Sequence, residues 1–248
     1  MPTDPPANSL ETATPVFVSY PKSGRTWVGY TLELAGIELP NTHAGAGNEN
    51  RSLGIPYRGV DANRFAGRRI IFMHRNPLDT AISFYFQVHK RELVPGTWKY
   101  LRRYPRYVLT GRWPPNDMAE FLMHPGYGLE NVCRYNRDWL NYLSGNADAM
   151  TLTYEDLVQD GAATLGRLLA FLGRPDISAA DLYAEASFDK MRSAESSGQH
   201  GRKLTAGDEA DPESRKVRRG KIRGYVDYLD AGTIERCREI AARYGFEI

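Results

Sequence analysis

The chain has 248 residues, of which 42% are hydrophobic and 25% charged, and its formal net charge is +2. That length is enough for one sizeable α/β domain and short for two, and the composition is ordinary for a soluble globular protein. A net charge this small does not favour nucleic-acid binding, although local basic clusters can still bind a small anion.

The N-terminal stretch, MPTDPPANSLETATP, lacks the basic start and the apolar core of a signal peptide. Its Pro, Thr and Ala content predicts a flexible tail over residues 1–14, which leaves one domain over residues 15–248. No apolar run reaches the roughly 20 residues that a membrane span needs. Cys133 and Cys237 lack the spacing of metal ligands, which favours buried, reduced thiols. We therefore expect a cytoplasmic protein.

A short apolar run over residues 16–18 is followed by a turn and by a helical pattern that ends near Gly36. The run is typical of a buried parallel strand, and one face of the helix is predicted to be formed by Trp27, Tyr30 and Leu34. A strand, a tight turn and a helix aim the backbone N–H groups from about Ser23 to Thr26 at one point in front of the helix. Because Lys22 adds a full positive charge there, the stretch predicts a phosphate or sulfate site.

His43 follows a second predicted strand, in which residues 37–40 run into residues 41–45. A lone histidine is more often a surface or packing residue than a catalyst. Ligands, however, collect at the carboxyl ends of parallel strands, which makes His43 a candidate site residue. The glycine- and asparagine-rich residues 44–61 form a loop that we expect to line part of a substrate pocket.

Residues 69–74 form a further apolar run, a predicted buried strand, and a helix begins directly after it. Asn76 is the expected N-cap of this helix, with Pro77 at its first position. Arg75 can form a bidentate contact with a phosphate, which Ser83 can reach from the helix. A surface ion pair is the alternative for Arg75, but the pairing with Ser83 across a capped strand–helix junction favours a phosphate site.

Residues 87–126 are rich in Trp, Tyr, Arg and Pro, which is unlike one regular helix. They are interpreted either as a lid over an acceptor site or as a surface excursion that is packed by its own aromatic residues. Interleaved basic and aromatic residues can also bind nucleic acid by stacking and charge, but this is the weaker interpretation at the low net charge.

The remaining elements are predicted as a helix over residues 128–143, a strand over 150–154, and helices over 164–173 and 234–244. Residues 193–216 are polar and contain glycine, which predicts a mobile loop. A basic run, VRRGKIRGY, follows at residues 217–225. Such a run is usually a solvated face and occasionally a nucleic-acid patch.

Four motifs occur along the chain: PKSGRTW at residues 21–27, RNPLDTAIS at 75–83, YED at 154–156 and RRGKIRGY at 218–225. The first differs from a Walker A loop, in which the lysine follows a second glycine. Together they resemble, in the same order, the motifs of sulfotransferases that use 3′-phosphoadenosine 5′-phosphosulfate (PAPS), of the cytosolic type and bacterial in character. The resemblance implies a single P-loop-kinase-like α/β domain, with a central, mainly parallel sheet flanked by helices and the two phosphate-loop strands at its middle.

The resemblance also implies a role for each motif. Lys22 and His43 are expected to be catalytic, the lysine offsetting charge on the leaving nucleotide and the histidine taking the acceptor's proton. Ser23 is expected to restrain Lys22 until the acceptor binds. The residues expected to bind the 5′-phosphosulfate are Lys22, Ser23, Gly24, Arg25, Thr26 and Trp27. Those expected to bind the 3′-phosphate are Arg75, Ser83, Arg218, Arg219 and Gly220. Tyr154 and Phe188 are expected to contact the adenine.

Several positions depart from the family's pattern. Arg25 and Ala186 stand where threonine is more usual, and Asn41 replaces a lysine that contacts the transferring group. The family's dimer signature, KxxxTVxxxE, is not reproduced after Gly224, so dimerisation by that route is not expected.

The sequence therefore predicts transfer of a sulfuryl group from PAPS to a hydroxyl or amine of a small-molecule or glycan acceptor, with 3′-phosphoadenosine 5′-phosphate (PAP) as product. No metal ion is implied, since no carboxylate or histidine cluster has ligand spacing, and neither a nucleic acid nor a membrane is expected as a partner. Two alternatives stay open. One is a P-loop-type kinase that uses ATP, which the missing GK[ST] sequence disfavours, and the other is a non-catalytic protein that binds nucleotides or nucleic acid.

Overall fold

The computed structural model describes residues 14–47, 49, 53–92, 113–197, 211–215 and 220–248. At its centre lies a four-stranded sheet in the order β2-β1-β3-β4, in which all neighbouring strands are parallel. The strands are β1 (Val16–Ser19), β2 (Asn41–Thr42), β3 (Ile70–His74) and β4 (Ala149–Thr153). The prediction of a central parallel sheet is confirmed, and β1 and β3, the two strands expected to carry the phosphate loops, lie in its middle.

Helices connect the strands and cover both faces of the sheet. They are α1 (Arg25–Leu34), α2 (Ala62–Phe65), α3 (Pro77–Gln87), α4 (Met118–Met123), α5 (Leu129–Leu143), α6 (Tyr154–Gln159), α7 (Gly161–Phe171), α8 (Ala179–Glu185), α9 (Phe188–Ser197) and α10 (Ala231–Arg243). A π-helical turn (Val88–Glu92) extends α3, and short 3₁₀ turns lie at Pro212–Ser214 and Gly224–Asp227.

Alternate residues of β1 and β3 point to opposite faces of the sheet and enter two separate hydrophobic cores. Val18 and Phe72, which are paired across the sheet, pack in one core with aromatic residues of α5. Phe17 and Ile71, one residue earlier, pack in the second core with leucines of α1 and α7. Because both faces of the sheet are covered, these two strands are apolar along their length. These continuous apolar runs allowed both strands to be predicted from the sequence.

Local signals determine where two of the helices begin and end. Asn76 caps α3 by accepting hydrogen bonds from two backbone N–H groups, and Pro77 occupies the first helical position. Gly36, with a φ angle of 69°, follows the end of α1, and the N–H of Ile37 closes this turn by donating to the carbonyl of Leu32. Both boundaries agree with the sequence-based expectation.

Two sequence-based expectations are wrong in detail. Strand β2 is only Asn41–Thr42: the carbonyl of Pro40 still accepts from the N–H of Phe17 in β1 at 2.8 Å, but Ile37 and Leu39 lie outside the sheet and pack against the second core. Leu34 was expected on the packed face of α1, but 41% of its surface is exposed. It lies in the last turn of the helix, next to the chain reversal at Gly36.

Cys133 in α5 and Cys237 in α10 are buried and free, as predicted. None of the helices in the described ranges combines the length and the apolar character that crossing a membrane requires. Of the predicted tail, lid and loop, residues 1–13, 93–112, 198–210 and 216 lie outside the described residues.

Candidate active site

The four strands end at the same edge of the sheet, since all of them are parallel. The predicted site residues follow these ends: residues 20–26 after β1, His43 after β2, Arg75 after β3 and Tyr154 after β4. The two central strands, β1 and β3, are direct neighbours, so the loop of Lys22 and the side chain of Arg75 leave the sheet side by side. The fold thus gathers residues that are far apart in the sequence.

The loop between β1 and α1, here the Lys22 loop (residues 20–26), is compact and has an unusual backbone. Lys22 and Gly24 have positive φ angles of 73° and 103°. A Cβ at Gly24 would lie 2.6 Å from Met73 Cε and 2.8 Å from Tyr154 Cδ2, so glycine is the residue that fits there. Helix α1 begins at Arg25 without a side-chain cap, and the N–H of Trp27 already donates to the carbonyl of Gly24 at 2.9 Å, so it is the N–H groups ahead of Trp27 that lack an acceptor within the helix. These N–H groups and the helix dipole give the loop the chemistry of an anion site.

Two hydroxyl groups of the Lys22 loop differ in their surroundings. Ser23 is fully buried, and its Oγ has no hydrogen-bond partner within the described residues, so it is not bonded to Lys22 here. Thr26, in the first turn of α1, is exposed. A buried hydroxyl without a partner is destabilising, and an oxygen of a bound phosphate or sulfate would satisfy Ser23.

His43 is held by hydrogen bonds at both ring nitrogens. Its Nδ1 lies 2.7 Å from the carbonyl oxygen of Ser19, and its Nε2 lies 2.7 Å from Nη2 of Arg25. Because a carbonyl only accepts, Nδ1 carries the proton and donates to Ser19, and Nε2 accepts from Arg25. Burial and, after it, the charge of Arg25 lower the pKa of His43 to about 3. The ring is therefore neutral, but its basic nitrogen is already engaged.

Glu49 is a site residue that the sequence analysis missed. Its Oε1 accepts from the hydroxyl of Thr42 at 2.7 Å and from the N–H of His43 at 2.8 Å, and its Oε2 accepts from the N–H of Gly45 at 2.7 Å. Burial raises the pKa of Glu49, but these hydrogen bonds outweigh burial and leave the pKa lowered. The carboxylate thus fixes the turn that carries His43. The signal in the sequence is slight: Glu49 is the one carboxylate within residues 44–60.

Arg75 is held between the end of β4 and the C-terminal segment. Its guanidinium stacks on Tyr154, with Cζ 4.2 Å from the ring centroid. Its Nη2 donates to the carbonyl of Lys221 at 3.0 Å and lies 3.6 Å from Oδ2 of Asp79, while its Nε is buried without a partner among the described residues. The side chain is only 12% exposed, which is unlike an arginine in a surface ion pair.

Asp79 attaches the C-terminal segment to α3. Its carboxylate oxygens accept from the N–H groups of Arg223 at 2.8 Å and Tyr225 at 3.1 Å. These bonds hold the segment that begins at Gly220 beside Arg75, which is the neighbourhood that a shared 3′-phosphate site requires.

The other predicted 3′-phosphate residues are placed less directly. Ser83 is buried in α3, four residues after Asp79, so the two lie on one face of the helix. Arg218 and Arg219 lie outside the described residues.

The predicted adenine residues belong to an aromatic group beside the Lys22 loop. The ring centroids of Trp27 and Tyr154 are 5.8 Å apart, and Nε1 of Trp27 donates to the carbonyl of Ala186 at 2.9 Å. Phe188 packs in the same hydrophobic cluster as Trp27. Gly220 approaches closely, since a Cβ there would lie 3.0 Å from Cδ2 of Phe188. The Lys22 loop, the end of β4 and the C-terminal segment therefore meet around one aromatic surface.

Basic side chains lie at this edge of the sheet together with the carboxylates of Glu49 and Asp79, which accept from backbone N–H groups there. Lys22, Arg25 and Arg75 follow or extend from the ends of the two central strands. Within the described ranges there is no group of three or more His, Cys, Asp or Glu side chains placed to bind a metal ion. The arrangement suits an anionic ligand with more than one negative group.

Comparison with known proteins identifies a family. The family model of the sulfotransferase domain matches residues 64–244, which is most of the chain and includes Arg75, Tyr154 and Phe188. The match begins after the Lys22 loop and His43, so the roles of those residues depend on their geometry. No curated protein sequence matches the chain.

Several solved structures have a fold similar to that of this chain. The crystal structure of mouse sulfotransferase SULT7A1 complexed with PAP has a TM-score of 0.61 and 19% sequence identity, and the likeness covers 92% of this chain and 82% of that chain. Retinol dehydratase with PAP and either androsterone or retinol gives TM-scores of 0.60 and 0.61 at 15% identity, over 94% of this chain and 82% of those chains. At such identities these likenesses establish the fold alone, and it is the α/β fold that the sequence predicted.

Proposed function

This chain belongs to the sulfotransferase domain family, and we propose that it transfers a sulfuryl group from PAPS to a hydroxyl or amine of a small-molecule or glycan acceptor, with PAP as product. The observation that carries the proposal is the convergence of two cationic sites, the Lys22 loop and Arg75, at one edge of the sheet. PAPS has one anionic group for each site, the 5′-phosphosulfate and the 3′-phosphate. The PAP bound to mouse sulfotransferase SULT7A1 and to retinol dehydratase supports this choice of nucleotide.

In the proposed complex the 5′-phosphosulfate lies in the Lys22 loop. The N–H groups of the first turn of α1 donate to its phosphate oxygens, and the buried hydroxyl of Ser23 gains an acceptor. The exposed hydroxyl of Thr26 is a further donor. The positive φ angle of Lys22 is the kind of local strain that accompanies ligand-binding sites.

The other end of the nucleotide lies between β3 and the C-terminal segment. There the proposed 3′-phosphate ligands are Arg75, Ser83, the N–H of Gly220, Arg218 and Arg219. The proposed adenine site is the aromatic group of Trp27, Tyr154 and Phe188. The stacking of Arg75 on Tyr154 and the approach of Gly220 to Phe188 support a connection between the two sites.

The proposed reaction is an in-line displacement at sulfur. The acceptor atom forms a new bond to sulfur while the bond from sulfur to the bridging oxygen breaks, and the electron pair of that bond stays with PAP. Lys22 offsets the negative charge that grows on the bridging oxygen. The acceptor's proton passes to Nε2 of His43, the nitrogen that has a lone pair in the observed tautomer.

Thermal shifts with three ligands test the choice of nucleotide. PAP should raise the melting temperature of the protein more than ATP with Mg²⁺ or single-stranded DNA does, because only PAP occupies both cationic sites. A larger shift with ATP would indicate a kinase, and a larger shift with DNA a nucleic-acid-binding protein; either result would contradict the proposal. Transfer itself is measured with labelled PAPS across phenols, glycans and amines, which also identifies the acceptor.

The remaining predictions concern the surroundings of the site. We propose that the central part of residues 87–126 forms a lid over the acceptor, since its Tyr, Trp and Arg side chains can bind a ring or an anionic group. The two ends of this range belong to the domain itself, because Val88, Phe121 and Leu122 are buried in the first core. A cytoplasmic location and the absence of a nucleic-acid partner stay predictions from the sequence.

A further inference from the structure

Arg25 is a largely buried cation that forms no ion pair with a carboxylate in the described part of the chain. It is the first residue of α1, and its Nη2 lies 2.7 Å from Nε2 of His43. Its second terminal nitrogen, Nη1, is buried and has no hydrogen-bond partner among the described residues. None of the ion pairs within these ranges includes Arg25.

The surroundings of Arg25 do not neutralise its charge. The carboxylate that acts on it is Glu49, whose oxygens already accept from Thr42, His43 and Gly45. Burial lowers the pKa of Arg25, which is the direction expected for a cation that lacks a close counter-ion. Since buried charges in proteins are normally paired, the arrangement fits an anion that arrives with a substrate.

The same contact blocks His43 as a base. Its Nδ1 donates to Ser19, so Nε2 holds the lone pair that would take the acceptor's proton, and Arg25 occupies it. Two other titratable groups influence the contact between Arg25 and His43: Tyr135 and Glu49 act on Arg25, and Glu49 also acts on His43. Arg25 and His43 nevertheless remain in direct contact. His43 can therefore accept a proton at Nε2 only after the guanidinium of Arg25 has moved away.

We propose that Arg25 is the second cation of sulfuryl transfer: when PAPS binds, its guanidinium moves from Nε2 of His43 to the non-bridging oxygens of the sulfuryl group. The proposal rests on the proposed function, since it requires the sulfuryl group beside the Lys22 loop. Lys22 then stabilises charge on the bridging oxygen, and Arg25 stabilises charge on the sulfuryl oxygens. Strand β2 supplies no cation of its own, because Asn41 is neutral and its Nδ2 lies 3.4 Å from the carbonyl oxygen of Leu39.

Movement of Arg25 also makes the base available at the right moment. The acceptor's proton passes to Nε2 of His43 as the new bond to sulfur forms and the bond to the bridging oxygen breaks, with its electron pair retained by PAP. The product PAP has no sulfuryl group, so Arg25 returns to His43 in the product complex. PAPS and PAP therefore produce different states of His43.

This difference between the two nucleotides provides the test. The Nε2 resonance of His43, assigned by comparison with His43→Gln, is followed by ¹⁵N NMR in the acceptor-free protein with PAPS or with PAP, while calorimetry monitors binding. PAPS should shift the resonance to that of an imidazole without a guanidinium donor, and PAP should leave it as in the free protein. If both nucleotides bind and the His43 signals are identical, the inference fails and the proposed function stands. If neither binds, both fail.

Variants at position 25 provide a second, kinetic readout. Arg25→Thr should lower kcat roughly hundredfold or more, the usual size for loss of a transition-state donor, while the affinity for PAP changes by less than about threefold. Arg25→Lys retains the charge and should recover part of kcat. The matched control is Arg238→Thr, because Arg238 is exposed on α10, pairs with Glu235 and has no contact with the site among the described residues. A normal or raised kcat in Arg25→Thr would overturn the inference, since Arg25 would then only block the base.

Discussion

His43 illustrates how the neighbours of a single residue decide its chemistry. A histidine normally titrates close to neutral pH. Here burial and the charge of Arg25 lower its pKa to about 3, although the hydrogen bond to Ser19 and the charge of Glu49 act in the opposite direction. The imidazole is neutral across the physiological range, but the guanidinium on Nε2 and the low pKa to which it contributes both limit its use as a base.

The lowered pKa of His43 predicts a pH dependence of stability. The unfolded chain takes up this proton near pH 6.5 and the folded chain only near pH 3, so the free energy of unfolding falls as the pH drops between these values. Between pH 6 and pH 4 the wild type should lose up to about 1.4 kcal/mol per pH unit more than His43→Gln. Urea titrations at several pH values measure both slopes, and the other histidines are common to both proteins. Equal slopes of the free energy of unfolding against pH would contradict the lowered pKa and the neutral state of His43.

Lys22 is expected to act on the transition state more than on nucleotide binding. Lys22→Ala should cut turnover roughly hundredfold or more, the usual effect of losing a transition-state donor. PAP should still bind measurably, because the N–H groups of α1 and the 3′-phosphate ligands remain. Initial rates with labelled PAPS and calorimetry with PAP measure the two effects, with Lys190→Ala as control because Lys190 forms an exposed pair with Glu185. Near-normal turnover would remove Lys22 from the mechanism.

Among the secondary-structure elements, the sequence predicted those whose signals are local. Strands β1 and β3 are apolar on both faces, and α3 has its cap and first-turn proline adjacent in the sequence. Strand β2 was misplaced because it has two residues, and its pairing with β1 is decided by tertiary contacts rather than by its composition. The contact between Arg25 and His43 spans 18 positions, and Glu49 acts through a loop without periodicity, so neither had a sequence signal.

The Lys22 loop requires glycine at position 24 for two reasons, the backbone conformation and the lack of space for a side chain. A comparison with Gly36 distinguishes the two effects. Gly24 and Gly36 both have positive φ angles, so alanine at either position is strained by about 1–2 kcal/mol. Only at Gly24 does the new Cβ also overlap Met73 and Tyr154; at Gly36 no described atom lies within 4 Å. Gly24→Ala should therefore lose about 1–3 kcal/mol more in the free energy of unfolding than Gly36→Ala, and it should weaken PAP binding. Equal losses in urea titrations would show that the close packing of the loop is unimportant.

The junction between α3 and the C-terminal segment is expected to support the 3′-phosphate site. Asp79→Ala leaves the N–H groups of Arg223 and Tyr225 without their acceptor, at a cost of about 1–3 kcal/mol for the buried N–H of Tyr225, and frees the segment that carries Gly220. The affinity for PAP should fall together with stability. Asp230→Ala is the control, because it removes only the exposed N-cap of α10, a loss of about 1 kcal/mol. If PAP affinity is equal in the two variants, the segment takes no part in the site.

At the scale of the whole molecule, the proposed site forms only when the complete domain is folded. Its residues lie after four different strands and in the C-terminal segment, and the parallel sheet brings them to one edge. The order of the motifs along the chain indicated this convergence, because each motif follows a predicted strand or closes the domain. The acceptor could not be read in the same way, since specificity depends on loop geometry rather than on the sheet.

The most direct measurement compares PAP with adenosine 5′-monophosphate, which lacks the 3′-phosphate, in calorimetric titrations of the wild type, Arg75→Ala and Lys22→Ala. The wild type should bind PAP roughly tenfold to hundredfold more tightly than adenosine 5′-monophosphate, because charged hydrogen bonds to the 3′-phosphate contribute about 1.5–3 kcal/mol. This preference should fall roughly tenfold or more in Arg75→Ala, although the other proposed 3′-phosphate ligands remain, and it should be unchanged in Lys22→Ala. A preference for PAP that is undiminished by the loss of Arg75 would contradict the claim that the Lys22 loop and Arg75 bind the two ends of one nucleotide.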